Sequence, residues 1–270
     1  MARKIFAKRR DCRGRDIWHA SGRMDALLDW PGFLSEFSRE AEARGFAGRE
    51  LVALASGPVM VWEREAAGPR VYVSAGIHGD EPAGPLALLE LLKAGFFGVE
   101  CHWLLSPALN PDGLAAGSRG NRAGRDLNRD YWQRRTPEVR AHAAWLEGQP
   151  APDLFLSLHE DWEVAGFYFY EINLGPDEPQ RARAIIEAVR PCCAPEPSPQ
   201  IDGHQVRAEG WIYHEAEADV PQGWPEAIFL AKHGCPLSFT FETPSRLELA
   251  RRIAALMAAV RAACSIGPGV

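Results

Sequence analysis

Apolar positions recur along this chain in short blocks, and the spacing inside each block separates strands from helices. Residues 71–75 (VYVSA) form a near-continuous apolar run with β-branched members that breaks at Gly76, the pattern of a buried strand. Phe33, Leu34, Phe37 and Ala41 repeat with helical period, with Pro31 early in the segment and Gly45 past its end. Residues 51–56 and 59–64 read as two strands turning through Gly57 and Pro58. Helical character follows at 86–93, with Pro82 placed as a first helical residue because its missing N–H costs nothing there. Further strands are expected at 100–107, 153–158, 167–172 and 237–241, and further helices at 137–146, 179–189, 225–233 and 247–263. Asn110, Pro111, Asp112 and Gly113 predict a turn. The glycine- and arginine-rich stretch to Arg135 lacks any apolar period, and a long ordered loop inside a compact domain is usually functional. Residues 201–223 show no clear pattern.

Strands alternating with helices predict a layered α/β protein. No repeat or linker divides the chain, so residues 1–30 are expected to form a polar arm or lead-in and 31–270 a single domain. The 270 residues suffice for a sizeable core, and the formal net charge of −6 argues against nucleic acid as the main partner. No apolar run reaches membrane-spanning length and the basic N-terminus lacks the apolar core of a secretory signal, so a cytoplasmic location is expected. The six cysteines, Cys12, Cys101, Cys192, Cys193, Cys235 and Cys264, include no C-x-x-C pair and are expected to be reduced. The vicinal Cys192 and Cys193 leave a strained redox pair as an alternative.

Three of the expected strands lead into ionisable residues. The 71–75 strand leads to His78 and Glu81, the 153–158 strand to His159, and the 237–241 strand to Glu242. In an open α/β sheet such ends meet along one edge. Two histidines and a glutamate are a catalytic zinc set with a fourth position open, and Glu242 would stand outside it as a proton acceptor. Taken singly, each has a structural alternative. His78 and Glu81 suit a solvated turn with a capping acid, His159 a loop hydrogen bond, and Glu242 a helix N-terminal acid. Arg119, Arg122, Arg125 and Arg129 add guanidinium forks suited to carboxylates and oxyanions. Ion-paired, solvated positions suit Arg122, Arg125, Arg134 and Arg135.

The pieces HGDE (78–81), NPDG (110–113), RGNRAGRDLNRD (119–130), SLHE (157–160) and TFETP (240–244), in this order, resemble the zinc metallocarboxypeptidases of the carboxypeptidase A type. The chain is similar to their compact bacterial and intracellular branch, which is related to the succinylglutamate desuccinylase and aspartoacylase group. The resemblance implies a three-layer α/β/α sandwich around a mixed, mostly parallel sheet. It implies one Zn²⁺ held by His78, Glu81 and His159, Glu242 as general base and acid, and Arg119 as oxyanion donor. It further implies that Asn128 and Arg129 bind the substrate's terminal carboxylate. The family's substrate-binding tyrosine has one counterpart here, Tyr213, farther from Glu242 than the family places it; a half-buried aromatic in Trp211-Ile212-Tyr213 is the alternative. The implied substrate is a small peptide, with cell-wall peptides among the possibilities, or an N-acyl amino acid.

Overall fold

The computed structural model describes residues 7–10, 16–19 and 28–265. Within the expected lead-in, β1 (Ala7–Arg10) and β2 (Asp16–His19) pair as an antiparallel ladder, and residues 1–6, 11–15 and 20–27 lie outside the described residues. The chain then runs through α1 (Trp30–Ala43), β3 (Ala47–Leu54), β4 (Gly57–Arg64), β5 (Arg70–Ala75), α2 (Ala83–Lys93), β6 (His102–Ser106) and α3 (Pro111–Ala116). A 3-10 turn (Leu127–Arg129) precedes α4 (Pro137–Glu147), β7 (Leu154–Asp161), β8 (Tyr168–Asn173) and α5 (Pro179–Val189). Next come β9 (Gln200–Ile201), β10 (His204–Gln205), β11 (Trp211–Tyr213), α6 (Glu226–Lys232), β12 (Leu237–Pro244) and α7 (Leu249–Ser265). Among the described residues no helix is long and apolar enough to cross a membrane.

Eight strands form one sheet in the order β11-β8-β12-β7-β5-β6-β4-β3. β12, β7, β5 and β6 are mutually parallel at its centre, while β8 runs against β12, and β4 and β3 form an antiparallel edge. Side chains alternate between faces with period two, so each strand feeds two layers. Val71, Val73, Leu154, Leu156, Leu158, Phe239 and Phe241 pack with α1, α2, α5 and α7, whereas Tyr72 and Phe155 pack with α4 and α6. Helices thus cover both faces, giving the expected α/β/α sandwich.

Several boundaries differ from the sequence pattern for local reasons. The hairpin turns at Ala55 and Ser56, and Gly57 begins β4 with a φ of +127°. Asn110 caps α3 with its side chain rather than marking a free turn. Both β7 and β12 continue beyond Leu158 and Phe241 because they pair with each other there, Glu242 with His159, Thr243 with Glu160 and Pro244 with Asp161.

Candidate metal and substrate site

Gly76 ends β5 with a φ of +64°, a conformation costly for any other residue. The chain then crosses over α3 so closely that a Cβ on Gly79 would stand 1.9 Å from the Gly113 carbonyl carbon. Asn110 holds these two loops together. Its Oδ1 accepts from the Gly113 N–H at 2.9 Å, and its Nδ2 donates to the carbonyls of Ile77 at 3.2 Å and Arg119 at 3.3 Å. Pro82 sits at the N-cap of α2 rather than as its first residue and offers no side-chain cap. Glu160 Oε1 supplies the missing acceptor, bonding the Ala83 N–H at 2.7 Å, while its other oxygen pairs with the buried Arg252 of α7.

These constraints gather His78, Glu81 and His159, all at most 4% exposed. One ligand atom from each lies within 4.8 Å of the others. His78 Nδ1 is 2.6 Å from Glu81 Oε1 and His159 Nδ1 is 3.0 Å from Glu81 Oε2. Burial alone would raise the Glu81 pKa, but the two imidazoles hold it well below the ordinary carboxylate value. Burial lowers the pKa of His159 and favours the neutral ring that a metal ion needs; for His78 it is outweighed by Glu81 and Asp126, which raise the pKa. Tetrahedral zinc with ligands at about 2.0–2.2 Å separates neighbouring donor atoms by roughly 3.4 Å, a value that falls between the shortest spacing here, 2.6 Å, and the 4.8 Å within which all three donors lie. Two imidazole nitrogens and a carboxylate gathered within 4.8 Å of one another fit a zinc ion.

The strand register brings Glu242 beside this trio, directly across from His159 on β7 and Tyr168 on β8. Its carboxyl pKa is pushed well up, first by burial and then by the negative charges of Glu81 and Asp161. Arg119 reaches in from the arginine loop, with Nε and Nη2 on Asp126 Oδ2 at 3.2 and 3.1 Å and Nη1 on Glu81 Oε1 at 3.4 Å. Asp126, which sequence reasoning left without a role, joins the parts. Its Oδ1 meets His78 Nε2 at 3.1 Å and accepts the Asn128 N–H at 2.9 Å, orienting one histidine and starting the 3-10 turn. Burial works against its ionisation, yet His78 and Arg119 keep its pKa far below the usual range. The signal available for Asp126 was its place in the D-x-N-R spacing.

Asn128 is buried and its Oδ1 accepts the Glu226 N–H at 2.9 Å, which fixes the amide and turns Nδ2 away from that contact. Arg129 is exposed and forms no ion pair among the described residues; its Nη1 donates only to the Asn128 carbonyl, at 2.8 Å. Arg134 pairs with Glu147, while Arg122, Arg125 and Arg135 are exposed, as expected for solvated positions. Behind Asn128 lies a buried network. Tyr72 OH lies 2.8 Å from His142 Nε2 and donates to Glu226 Oε1 at 2.9 Å, Ser74 donates to Glu226 Oε2 at 2.8 Å, and Tyr131 OH is 2.8 Å from His142 Nδ1.

Tyr213 is not brought to the cluster. It sits opposite Glu171, which pairs with Phe239, three register steps or about 10 Å along the strand from Glu242 and two strands away. Odd spacing from Glu242 also puts it on the opposite sheet face, where its ring lies under Arg207 and its hydroxyl donates to the Asn173 carbonyl at 3.3 Å. Tyr168 and Tyr170 share the face of Glu242, and Tyr168, its direct cross-strand neighbour, is bonded to Asp161 at 2.9 Å.

Residues 67–168 match the model of the succinylglutamate desuccinylase/aspartoacylase catalytic domain. No curated protein sequence matches this chain significantly. Among solved structures, a candidate metallopeptidase from Shewanella amazonensis superposes with a TM-score of 0.78 at 24% identity, covering 97% of this chain and 99% of the other. Another candidate metallopeptidase, from Shewanella denitrificans, gives 0.78 at 24% identity over 90% and 92% of the two chains. A metallo-carboxypeptidase from Burkholderia cenocepacia gives 0.62 at 20% identity over 84% and 66%. The chain is therefore similar to the desuccinylase/aspartoacylase hydrolases over the stretch that carries His78, Glu81 and His159, and it has the carboxypeptidase fold over most of its length.

Proposed function

We propose that the protein is a zinc-dependent metallocarboxypeptidase that hydrolyses the last amide bond of a small peptide, with cell-wall peptides among the candidate substrates. The observation that carries this reading is the convergence of His78, Glu81 and His159 next to Glu242, with Arg129, a guanidinium that forms no ion pair among the described residues, on the loop whose Asp126 orients His78. His78, Glu81 and His159 would hold the zinc ion, which would supply Lewis acidity and make water acidic enough to attack near neutral pH. Glu242 then takes a proton from the attacking water as the C–O bond forms, and returns it to the leaving amine as the scissile C–N bond subsequently breaks. Arg119 uses three of its five N–H groups on Asp126 and Glu81, leaving two to donate to charge developing on the carbonyl oxygen. Asn128 Nδ2 and Arg129 hold the free carboxylate that marks the substrate's end. The free thiols of Cys101, Cys192, Cys193, Cys235 and Cys264 support a reducing, cytoplasmic setting.

The match of residues 67–168 favours a second reading, an N-acyl amino acid deacylase using the same metal site. A panel containing peptides, their C-terminal amides and N-acetyl or N-succinyl amino acids separates the two. Release of a terminal amino acid that chelator abolishes and Zn²⁺ restores, with amides refused, is the expected result. Turnover confined to N-acyl amino acids would establish the second reading instead, and zinc retained without any turnover would leave a binding role.

A further inference from the structure

A second cluster of metal-ligating side chains lies apart from the first. His204 stands on β10, His214 directly follows β11, and Asp219 lies in the segment leading to α6. Their ligand atoms fall within 4.8 Å of one another. His204 Nε2 is 3.2 Å and His214 Nε2 3.9 Å from the two Asp219 carboxylate oxygens, and the imidazole centroids are 4.8 Å apart. Those spacings bracket the roughly 3.4 Å between neighbouring donors of a tetrahedral ion. The imidazoles are largely covered, at 22% and 14% side-chain exposure, while Asp219 is 68% exposed, so the cluster opens to solvent on one side. A second observation points the same way. His214 Nδ1–H is committed to the Glu215 carbonyl, which fixes the tautomer and leaves the Nε2 lone pair facing Asp219, the orientation that a metal-ligating imidazole ordinarily has. Tyr170 packs edge-on against both rings and holds their separation.

We propose that His204, His214 and Asp219 form a second metal site, a two-histidine, one-carboxylate set for a zinc-class divalent transition ion, with its remaining positions open to water. Imidazole and carboxylate donors suit Zn²⁺, Co²⁺, Ni²⁺ or Cu²⁺ over the alkaline earths. An ion there ties the β9–β10 hairpin to the end of β11 and to the 214–225 segment, whose Gly223 lies against Arg129. The site therefore braces the wall beside Arg129, one of the candidate carboxylate-binding residues, and shares no ligand with the first metal trio.

Zn²⁺ and Co²⁺ titrations of the chelator-stripped full-length protein test this, read as binding stoichiometry and, for Co²⁺, as visible absorption. The wild type is expected to take two equivalents. His204→Ala and His214→Ala should each lose one, and Asp219→Asn, at an exposed position that leaves folding intact, should weaken that equivalent at least tenfold. His78→Ala should lose the other equivalent and keep this one, so failure of the proposed catalytic site and failure of this site give different patterns. A wild type whose stoichiometry and affinity are unchanged, within threefold, by His214→Ala and Asp219→Asn would overturn the assignment.

Discussion

Replacing Asn110 tests whether the two loops that carry the site are held by one side chain. In Asn110→Ala the Gly113 N–H loses its acceptor, and the carbonyls of Ile77 and Arg119 lose their donor, all at a position with no solvent exposure. Loss of the cap costs about 1 kcal/mol. Each orphaned carbonyl adds about 1 kcal/mol, at the low end of the range because the bonds are long. The expected loss is therefore roughly 3 kcal/mol. Asn110→Ser keeps a capping oxygen but cannot reach the carbonyls, so it should lose roughly 2 kcal/mol. Urea unfolding measures both, with the midpoint moving and the slope constant. Because Ile77 precedes His78 and the other loop carries Arg119, Zn²⁺ affinity, read by chelator competition, should fall about tenfold in both variants. A loss below 1 kcal/mol in the alanine variant, or unchanged metal affinity in a destabilised one, would refute the clamp.

Other consequences follow from the same geometry. Glu242→Gln should retain one equivalent of zinc at the His78 site while kcat falls by about 10²–10⁴, measured on whichever substrate turns over. Arg129→Ala should lower kcat/KM for substrates with a free carboxylate by at least about tenfold and leave C-terminal amides unaffected; equal losses on both would remove its assigned role. Gly79→Ala forces a Cβ into the Gly113 backbone, so a loss on the order of 3 kcal/mol is expected in thermal unfolding. Burial raises the Glu226 pKa to about 7 from an ordinary 4.5, against the hydrogen bonds from Ser74 and Tyr72. A raised carboxyl contributes stability below pH 4.5 that is lost as pH rises through 7, up to roughly 3 kcal/mol. Glu226→Gln should flatten that slope between pH 5 and 8.5 relative to wild type.

Much of this was legible because strand-to-loop transitions announce themselves locally. The apolar run into Gly76 located His78 and Glu81, and helix punctuation by Pro137 and Pro179 matched the observed helix starts. What stayed hidden depends on pairing. Tyr213 lies in a three-residue strand too short to show a period, and only its register with Glu171 reveals that it faces away from Glu242. His159 and Glu242 looked like residues just beyond strand ends, whereas each lies inside a strand that is extended by pairing with the other. Asp126 was one acid among many in a charged loop until folding set its oxygens against His78 and Arg119. The cluster of His204, His214 and Asp219 spans the unpatterned 201–223 stretch, where residues fifteen positions apart meet only in three dimensions.

The two faces of the sheet divide the labour of the molecule, and parity explains how. On the face under α2 and α7 the central strands present Val71, Val73, Leu156, Leu158, Phe239 and Phe241, which need only close packing. The alternate positions carry Tyr72, Ser74, Ser157, His159 and Glu242, and a buried polar group is tolerable only when it is bonded. Glu226 and His142 meet that demand with a single consistent proton arrangement. Tyr131 donates to His142 Nδ1, His142 Nε2–H donates to the Tyr72 oxygen, and Tyr72 and Ser74 both donate to the Glu226 carboxylate. Burial holds His142 neutral, its pKa lowered to about 3, so the order from Tyr131 through His142 to Tyr72 holds while Glu226, its pKa raised to about 7, is ionised. The Glu226 backbone N–H then fixes Asn128, so the polar core on this face of the sheet positions a residue of the cleft on the same face. A sheet with both faces apolar would pack as well but would leave Asn128 without its anchor.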